Sequence, residues 1–305
     1  MAKQDYVFRY LTIIKKLRTS GEATFREINA YLRKESEFQD RPTSISARTF
    51  QRDLNEIRSI FQIDIRFDFQ GGVYYIAEDL QQDLNNRMLE SIDTINSLKM
   101  AGDISRYMFF EKRKAQGTHH FHGLIHAIKN RMVIRLVHQR FDSDEPSERL
   151  TEPYALKESK GRWYLVARDR KDTKIKTFGL DRIVNFEATP SRFDHPAGLD
   201  INEMFRYCFG VINPDDLRPE EIILSFEPEQ GKYIKSYPLH ESQEILADTG
   251  RELRIGLRLL VTHDLVMEIL SYGKSVTVIS PERLVRQITG IYREAAARYK
   301  TKSAG

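Results

Sequence analysis

The sequence predicts an α+β chain built from several modules, and three patterns carry that reading. Three amphipathic helical stretches followed by an alternating hairpin open the chain. A run of short strands fills residues 131–189. Strands and helices then alternate over about 219–300. The expected boundaries are 1–78 for the first module, 79–117 for a helical linker, 118–195 for a small β-module and 196–305 for an α+β extension.

The elements follow in order. Tyr6, Tyr10, Ile13, Ile14 and Leu17 recur at helical spacing, and Ser20-Gly21 ends that run. Phe25, Ile28 and Leu32 share one face of a second helix, with Thr24 as its expected N-cap. Asp40-Arg41-Pro42-Thr43 breaks the chain, and Ser44 or Ser46 can cap a third helix with Phe50, Leu54 and Ile57 inward. Ile63–Phe67 and Val73–Ile76 alternate on either side of Gln70-Gly71-Gly72, which predicts a hairpin. Three helices and a hairpin in this order describe a winged helix-turn-helix. Residues 80–111 read as a longer amphipathic helix or a helix pair, with Leu84, Met88, Ile92, Ile95 and Met100 forming its stripe. Strands are expected at Met132–Val137, Tyr154–Leu156, Trp163–Ala167, Lys174–Phe178 and Ile183–Phe186, with a polar loop at Asp142–Ser147; together they predict a small barrel or curled sheet. The extension reads as strand 222–226, helix 229–236, strands 244–246 and 253–261, helix 264–270, strand 276–279 and a closing helix 282–299.

Composition narrows the function. Residues 112–182 carry 17 Lys and Arg against 9 Asp and Glu, a net +8, whereas the whole chain is only +4. The basic stretch also holds the single tryptophan, Trp163. A basic, aromatic-lined module in an otherwise slightly acidic chain points to an anionic partner. The lone Cys208 excludes an intramolecular disulfide and a cysteine-rich zinc site. The N-terminus lacks the apolar run of a signal peptide, and no apolar stretch approaches membrane-spanning length, so a cytoplasmic protein with no membrane partner is expected. No glycine loop follows a strand, no nucleophile elbow appears, and no carboxylate pair is placed in one cleft; the chain is read as a non-enzyme without a cofactor. Of His119, His120, His122 and His126, only the last two have helical ligand spacing, without a nearby Cys or an HExxH pattern. They are read as a solvated linker or as contacts to anionic partners, and no metal is expected.

On the third helix, Arg48, Gln51, Arg52 and Asn55 fall opposite the apolar face. Arginine and glutamine there are suited to base edges in the major groove. Arg48 and Thr49 lie near the helix N-terminus, and Arg66 lies on the hairpin that would form the wing. A local Arg52–Asp53 ion pair is the competing structural reading. In the basic module Arg135, Lys176 and Arg182 can supply cations, with Arg140 beside them, while Tyr154, Tyr164, Trp163 and Phe178 offer aromatic faces. Cations beside aromatic rings are what a nucleotide or single-stranded nucleic acid requires. The alternation of Trp163 and Leu165 about Tyr164 assigns the first two mainly to the core.

Glu152-Pro153-Tyr154-Ala155-Leu156, then Gly161-Arg162-Trp163-Tyr164-Leu165, then Lys176-Thr177-Phe178-Gly179-Leu180-Asp181-Arg182-Ile183 resemble, in order and spacing, the signature of the WYL-domain family. Pro238–Gln243, Ser271-Tyr272-Gly273 and Val278-Ile279-Ser280-Pro281 are similar to the WCX-type extension that accompanies it. The resemblance implies an Sm- or SH3-like small β-barrel, a bacterial transcriptional regulator and a homodimer. It implies ligand contacts at Arg182 and Phe178, which match the family. His138 stands where a tyrosine is frequent, Lys176 where an arginine is usual, and Gly179 where a larger residue is common. The expected function is a regulator that binds a double-stranded DNA operator and senses an anionic small ligand or single-stranded nucleic acid. An accessory nucleic-acid-binding modulator of a defence-system effector is the alternative, and an enzyme acting on nucleotides ranks third.

Overall fold

A computed structural model describes residues 3–37, 44–79, 85–87, 117–141, 143 and 145–300. The chain divides into two compact units, Met1–Glu111 and Lys112–Gly305. Both are mixtures of helix and antiparallel sheet. Among the described residues no helix is long and apolar enough to cross a membrane. The helical linker expected over 79–117, with its stripe Leu84, Met88, Ile92, Ile95 and Met100, lies outside the described residues except for 79, 85–87 and 117.

The first unit runs α1 (Lys3–Ser20), β1 (Glu22–Ala23), α2 (Phe25–Glu37), α3 (Ala47–Phe61), β2 (Ile63–Asp68) and β3 (Val73–Asp79). Thr24 and Glu27 close a reciprocal box at the start of α2: each backbone N–H donates to the other's side chain, at 2.8 and 3.2 Å. Ser46 is the N-cap of α3 and accepts from the Thr49 N–H at 3.1 Å. We expect Ser46→Ala to cost about 1 kcal/mol, measured as a lower denaturation midpoint of the first unit at unchanged slope. Left-handed Gln62 (φ 55°) turns the chain from α3 directly into β2. Ile13, Ile14, Leu17, Ile28, Leu32, Phe50, Ile57 and Ile63 form the core. The sheet order is β1-β3-β2. The two-residue strand β1, pairing Glu22 with Tyr75 and Ala23 with Tyr74, is an addition to the expected elements. On α3 the buried set is Phe50, Asp53, Ile57 and Phe61, with Leu54 only partly covered.

The second unit opens with a 3-10 turn (Thr118–His120) and α4 (Phe121–Lys129). This corrects the expectation of a linker at the histidines. Leu124 and Ala127 are buried, with Phe121 and Ile128 packed beside them, so an apolar helical face holds the segment on the sheet. His120 Nε2 lies 3.1 Å from the Ile183 carbonyl, and His122 and His126 face outward. Five strands follow: β4 (Met132–His138), β5 (Ser147–Ser159), β6 (Arg162–Asp169), β7 (Ile175–Gly179) and β8 (Ile183–Arg192), in the order β7-β6-β5-β4-β8. A 3-10 turn (Leu180–Arg182) joins the two edge strands. Trp163 packs edge-on against Phe121 at 4.8 Å, and Leu165 is fully buried.

The short helix α5 (Ile201–Phe205) leads through residues 206–219 into β9 (Glu220–Phe226). Then come α6 (Pro228–Ser236), β10 (Glu244–Asp248), β11 (Leu253–Leu259), α7 (His263–Ser271), β12 (Val276–Ser280) and α8 (Glu282–Lys300). Their sheet, in the order β10-β11-β9-β12, buries Ile222, Leu224, Phe226, Ile255 and Leu257 against Leu265, Ile269, Leu284 and Ile288.

Candidate anion-binding site

A cleft of about 500 Å³ opens at one end of the five-stranded sheet. β4 delivers His138, and Arg140 follows just past its end. Arg149 comes from β5, and Ile175 to Phe178 from β7. Arg182 comes from the turn that joins the sheet edges. The opposite wall comes from further along the chain: Met204 and Phe205 of α5, then Val211–Pro214. That wall is held by short-range bonds. The Val211 N–H donates to Asp264 Oδ2 at 3.1 Å, and the Asn213 side chain donates to the Met204 carbonyl at 2.9 Å. Gly210 (φ +98°) makes the approach possible, because a Cβ there would lie 2.4 Å from Asp264 Oδ2.

Of the ligand residues expected from sequence, His138, Arg140, Lys176, Phe178 and Arg182 line this cleft. Arg135, Tyr154 and Tyr164 are placed elsewhere. Arg135 is three residues from His138 on one strand, so it emerges on the other face, where it pairs with Glu148 at 2.6 Å. Tyr154 is the extra residue of a bulge between Pro153 and Ala155. It is buried against Val133 and Phe193 and donates to Glu152 at 3.2 Å. Tyr164, on β6 opposite Gly179, is half-buried, and that burial pushes its phenol up.

Sequence reasoning passed over Arg149 and Asp169. Asp169 is fully buried and accepts from Arg149 Nη1 at 2.5 Å, Lys176 Nζ at 2.8 Å and the Lys171 N–H at 3.0 Å. Burial alone would push its carboxyl up; the bonds from Lys176, Lys171 and Arg149 outweigh burial and hold it at about 2. Lys176 also bonds Asp172 at 2.5 Å, so its charge is shared between two carboxylates. Burial pulls its ammonium down, but the two carboxylates more than reverse this. Arg182 lies over the Phe141 ring at 4.9 Å. A Cβ on Gly179 would come within 2.6 Å of Asp181 Oδ1 and 3.0 Å of Arg182 Nε, so the small residue leaves room for both side chains. His138 meets the Phe178 ring edge-on at 5.4 Å.

The first unit carries the other predicted residues. Arg48, Gln51, Arg52 and Asn55 are exposed along α3. Thr49 is half-buried at the cap, its hydroxyl 3.0 Å from that of Ser46. Gln51 donates to the Tyr74 hydroxyl at 3.2 Å, tying α3 to β3. Arg52 stands 5.8 Å over Tyr6 and 3.9 Å from Asp53. Arg66 is paired with Asp64 at 2.8 Å.

Comparison with known proteins gives two family matches. Residues 119–188 match the WYL domain, and residues 218–296 match the WCX domain. No curated protein matches the chain. Two solved structures are similar at low identity. Proteasome accessory factor B/C (PafBC) of Arthrobacter aurescens is 18% identical, with a TM-score of 0.33; the match covers 92% of this chain and 45% of that one. A CRISPR Cas-related protein is 11% identical, with a TM-score of 0.39, covering 96% of this chain and 84% of that one. The chain therefore spans less than half the length of the first of these structures.

Proposed function

This chain is a WYL-domain protein with a WCX domain behind it, and on that premise we propose that it is a DNA-binding transcriptional regulator governed by an anionic ligand. In this reading the first unit is a winged helix-turn-helix. Its α3 offers Arg48, Gln51, Arg52 and Asn55 to the major groove of an operator, with Thr49 and Arg66 toward the phosphates. The five-stranded sheet is an Sm- or SH3-like barrel, and its cleft takes a nucleotide or the end of a single strand. Two copies act as a homodimer. The ligand favours one arrangement of the pair, and that arrangement sets the spacing of the two reading heads.

The observation that carries the reading is the gathering of Arg140, Arg149, Lys176 and Arg182 around one cleft, with Phe178 on its wall. Cations answer the phosphate and the ring answers the base. Because Lys176 is already shared by Asp169 and Asp172, Arg182 carries more of the ligand contact, and Arg182→Ala weakens binding more than Lys176→Ala.

The test begins with selection of bound duplexes from a random pool. Affinity for the selected duplex is then measured across salt, with and without short single-stranded DNA. Arg48→Ala/Arg52→Ala takes two cations from each head of the dimer, so affinity is expected to drop and the slope of log affinity against log salt to fall by roughly 4. A parental slope and affinity in that variant would remove α3 from the interface. Duplex affinity indifferent to every short single strand and nucleotide would remove the sensing role.

A further inference from the structure

His138 differs in kind from the other groups of the cleft. It is 6% exposed, and among the described residues its Nε2 has no hydrogen-bond partner although it lies among lining residues. A buried polar nitrogen left unpaired costs free energy and is satisfied when a ligand supplies an oxygen. The groups that face it come from every neighbouring element: Arg140 beyond β4, Arg149 from β5, Lys176 and Phe178 from β7, and Asp181 and Arg182 from the joining turn. Asp169 of β6 stands behind Arg149. Arg182, Arg149 and Arg140 oppose a positive charge on the imidazole while Asp181 favours it, and a bound anion adds its weight to that of Asp181.

We propose that His138 is the residue that selects a terminal phosphomonoester over an internal phosphodiester, by taking a proton from solvent as the doubly charged phosphate binds and donating it from Nε2 to a phosphate oxygen. This deepens the reading of the cleft as an anion site and rests on it. A phosphodiester brings one negative charge, which the arginines alone answer, and His138 stays neutral. A phosphomonoester brings nearly two at pH 7 and above. The second charge offsets the guanidinium repulsion and gives the imidazolium a charge-assisted bond. In the unliganded chain burial, then Arg182 and Arg149, push the imidazole down to about 4, so near neutral pH it has a proton to gain. A tyrosine in this position could donate to either ligand and would not discriminate by charge. The preference therefore follows from the histidine.

The sign follows directly. The dianion raises the imidazole's affinity for its proton, so monoester binding tightens as pH falls from 8 toward 7. The gain stops near pH 6, where the ligand's own second ionisation begins to reverse.

The experiment is calorimetric titration of the full chain at pH 7.2 with adenosine 5′-monophosphate and with its methyl ester, in buffers of different ionisation enthalpy. The monoester is expected to bind roughly tenfold more tightly and with net proton uptake. The ester is expected to bind without uptake, and His138→Gln is expected to abolish both the preference and the uptake. In the unsubstituted chain the His138 ring signal, followed by NMR, is expected to move toward the imidazolium position with the monoester only. This readout holds even if the variant fails to fold. Equal binding of the two probes, or a ring signal that stays neutral, overturns the role of His138 and leaves the anion cleft standing. If neither probe binds, both the cleft reading and the inference fall.

Discussion

Asp53→Ala is expected to lower the stability of the first unit by about 3–5 kcal/mol, the range for breaking a buried ion pair by removing one partner. Asp53 is fully buried and Arg9 is 3% exposed. Two bonds join them, Arg9 Nε to Oδ2 at 2.5 Å and Nη2 to Oδ1 at 2.6 Å. Burial alone would pull the guanidinium's pKa down, but the bonds and charge of Asp53 hold it above its ordinary value. That support goes with the carboxylate, but a guanidinium is intrinsically too basic to shed its proton near neutral pH, so the desolvation penalty falls on the fold. The pair also sets the position of α3 against α1, so the exposed face of α3 loses its alignment with the unit that presents it. Hydrogen exchange of α1 and α3 amides in urea measures the loss. Arg9→Met/Asp53→Leu should recover most of it, since two apolar side chains leave nothing unpaired. A cost below about 1 kcal/mol would mean that water reaches the pair, as in exposed ion pairs.

The sequence displayed Asp53 only as a neighbour of Arg52, because a helical pattern shows which residues share a face but not which residue of a distant helix meets them. The same limit explains most of what was missed. The first three helices, the hairpin and most strands lie near where local periodicity puts them, but β5 (Ser147–Ser159) runs well past the expected Tyr154–Leu156, β8 runs past Phe186, and α5 was not expected. β1 has two residues, too few to show any period. α4 was hidden by four histidines, which made an apolar face at Phe121, Leu124, Ala127 and Ile128 look like a polar connector. In the cleft, Lys176, Phe178 and Arg182 were legible because they sit within one continuous motif. Arg149 enters through strand register, opposite Leu136 and two residues from the His138–Ser147 pair, which no single stretch of sequence displays. Residues 204–214 enter through tertiary folding alone. The separation of Arg135 from His138 was legible in principle, since an odd spacing along one strand puts two side chains on opposite faces. Tyr154 escaped the same rule because a bulge shifts the register at that residue.

Asp169→Ala is expected to move stability and anion affinity in opposite directions. The fold should lose about 3 kcal/mol, the lower end of the range for a broken buried pair, because Arg149 and Lys176 keep some access to water. Part of that loss appears as pH dependence. A carboxyl held at about 2, against an ordinary value of 3.8, adds stability that is fully present above pH 4 and fades as pH falls toward 2. That share is about 2 kcal/mol, and the variant's unfolding free energy should be flatter over the same window. Anion binding responds to a different consequence of the same change. Asp169 takes up charge from two of the cations that surround the cleft, and removing it leaves Arg149 and Lys176 to face the cavity with one more net positive charge. At pH 7 and low salt, adenosine 5′-monophosphate should therefore bind the folded variant more tightly than it binds the parent, with a steeper salt dependence. A variant that loses stability and anion affinity together would show instead that Asp169 holds Arg149 and Lys176 in the geometry the ligand needs, and that their placement outweighs their charge.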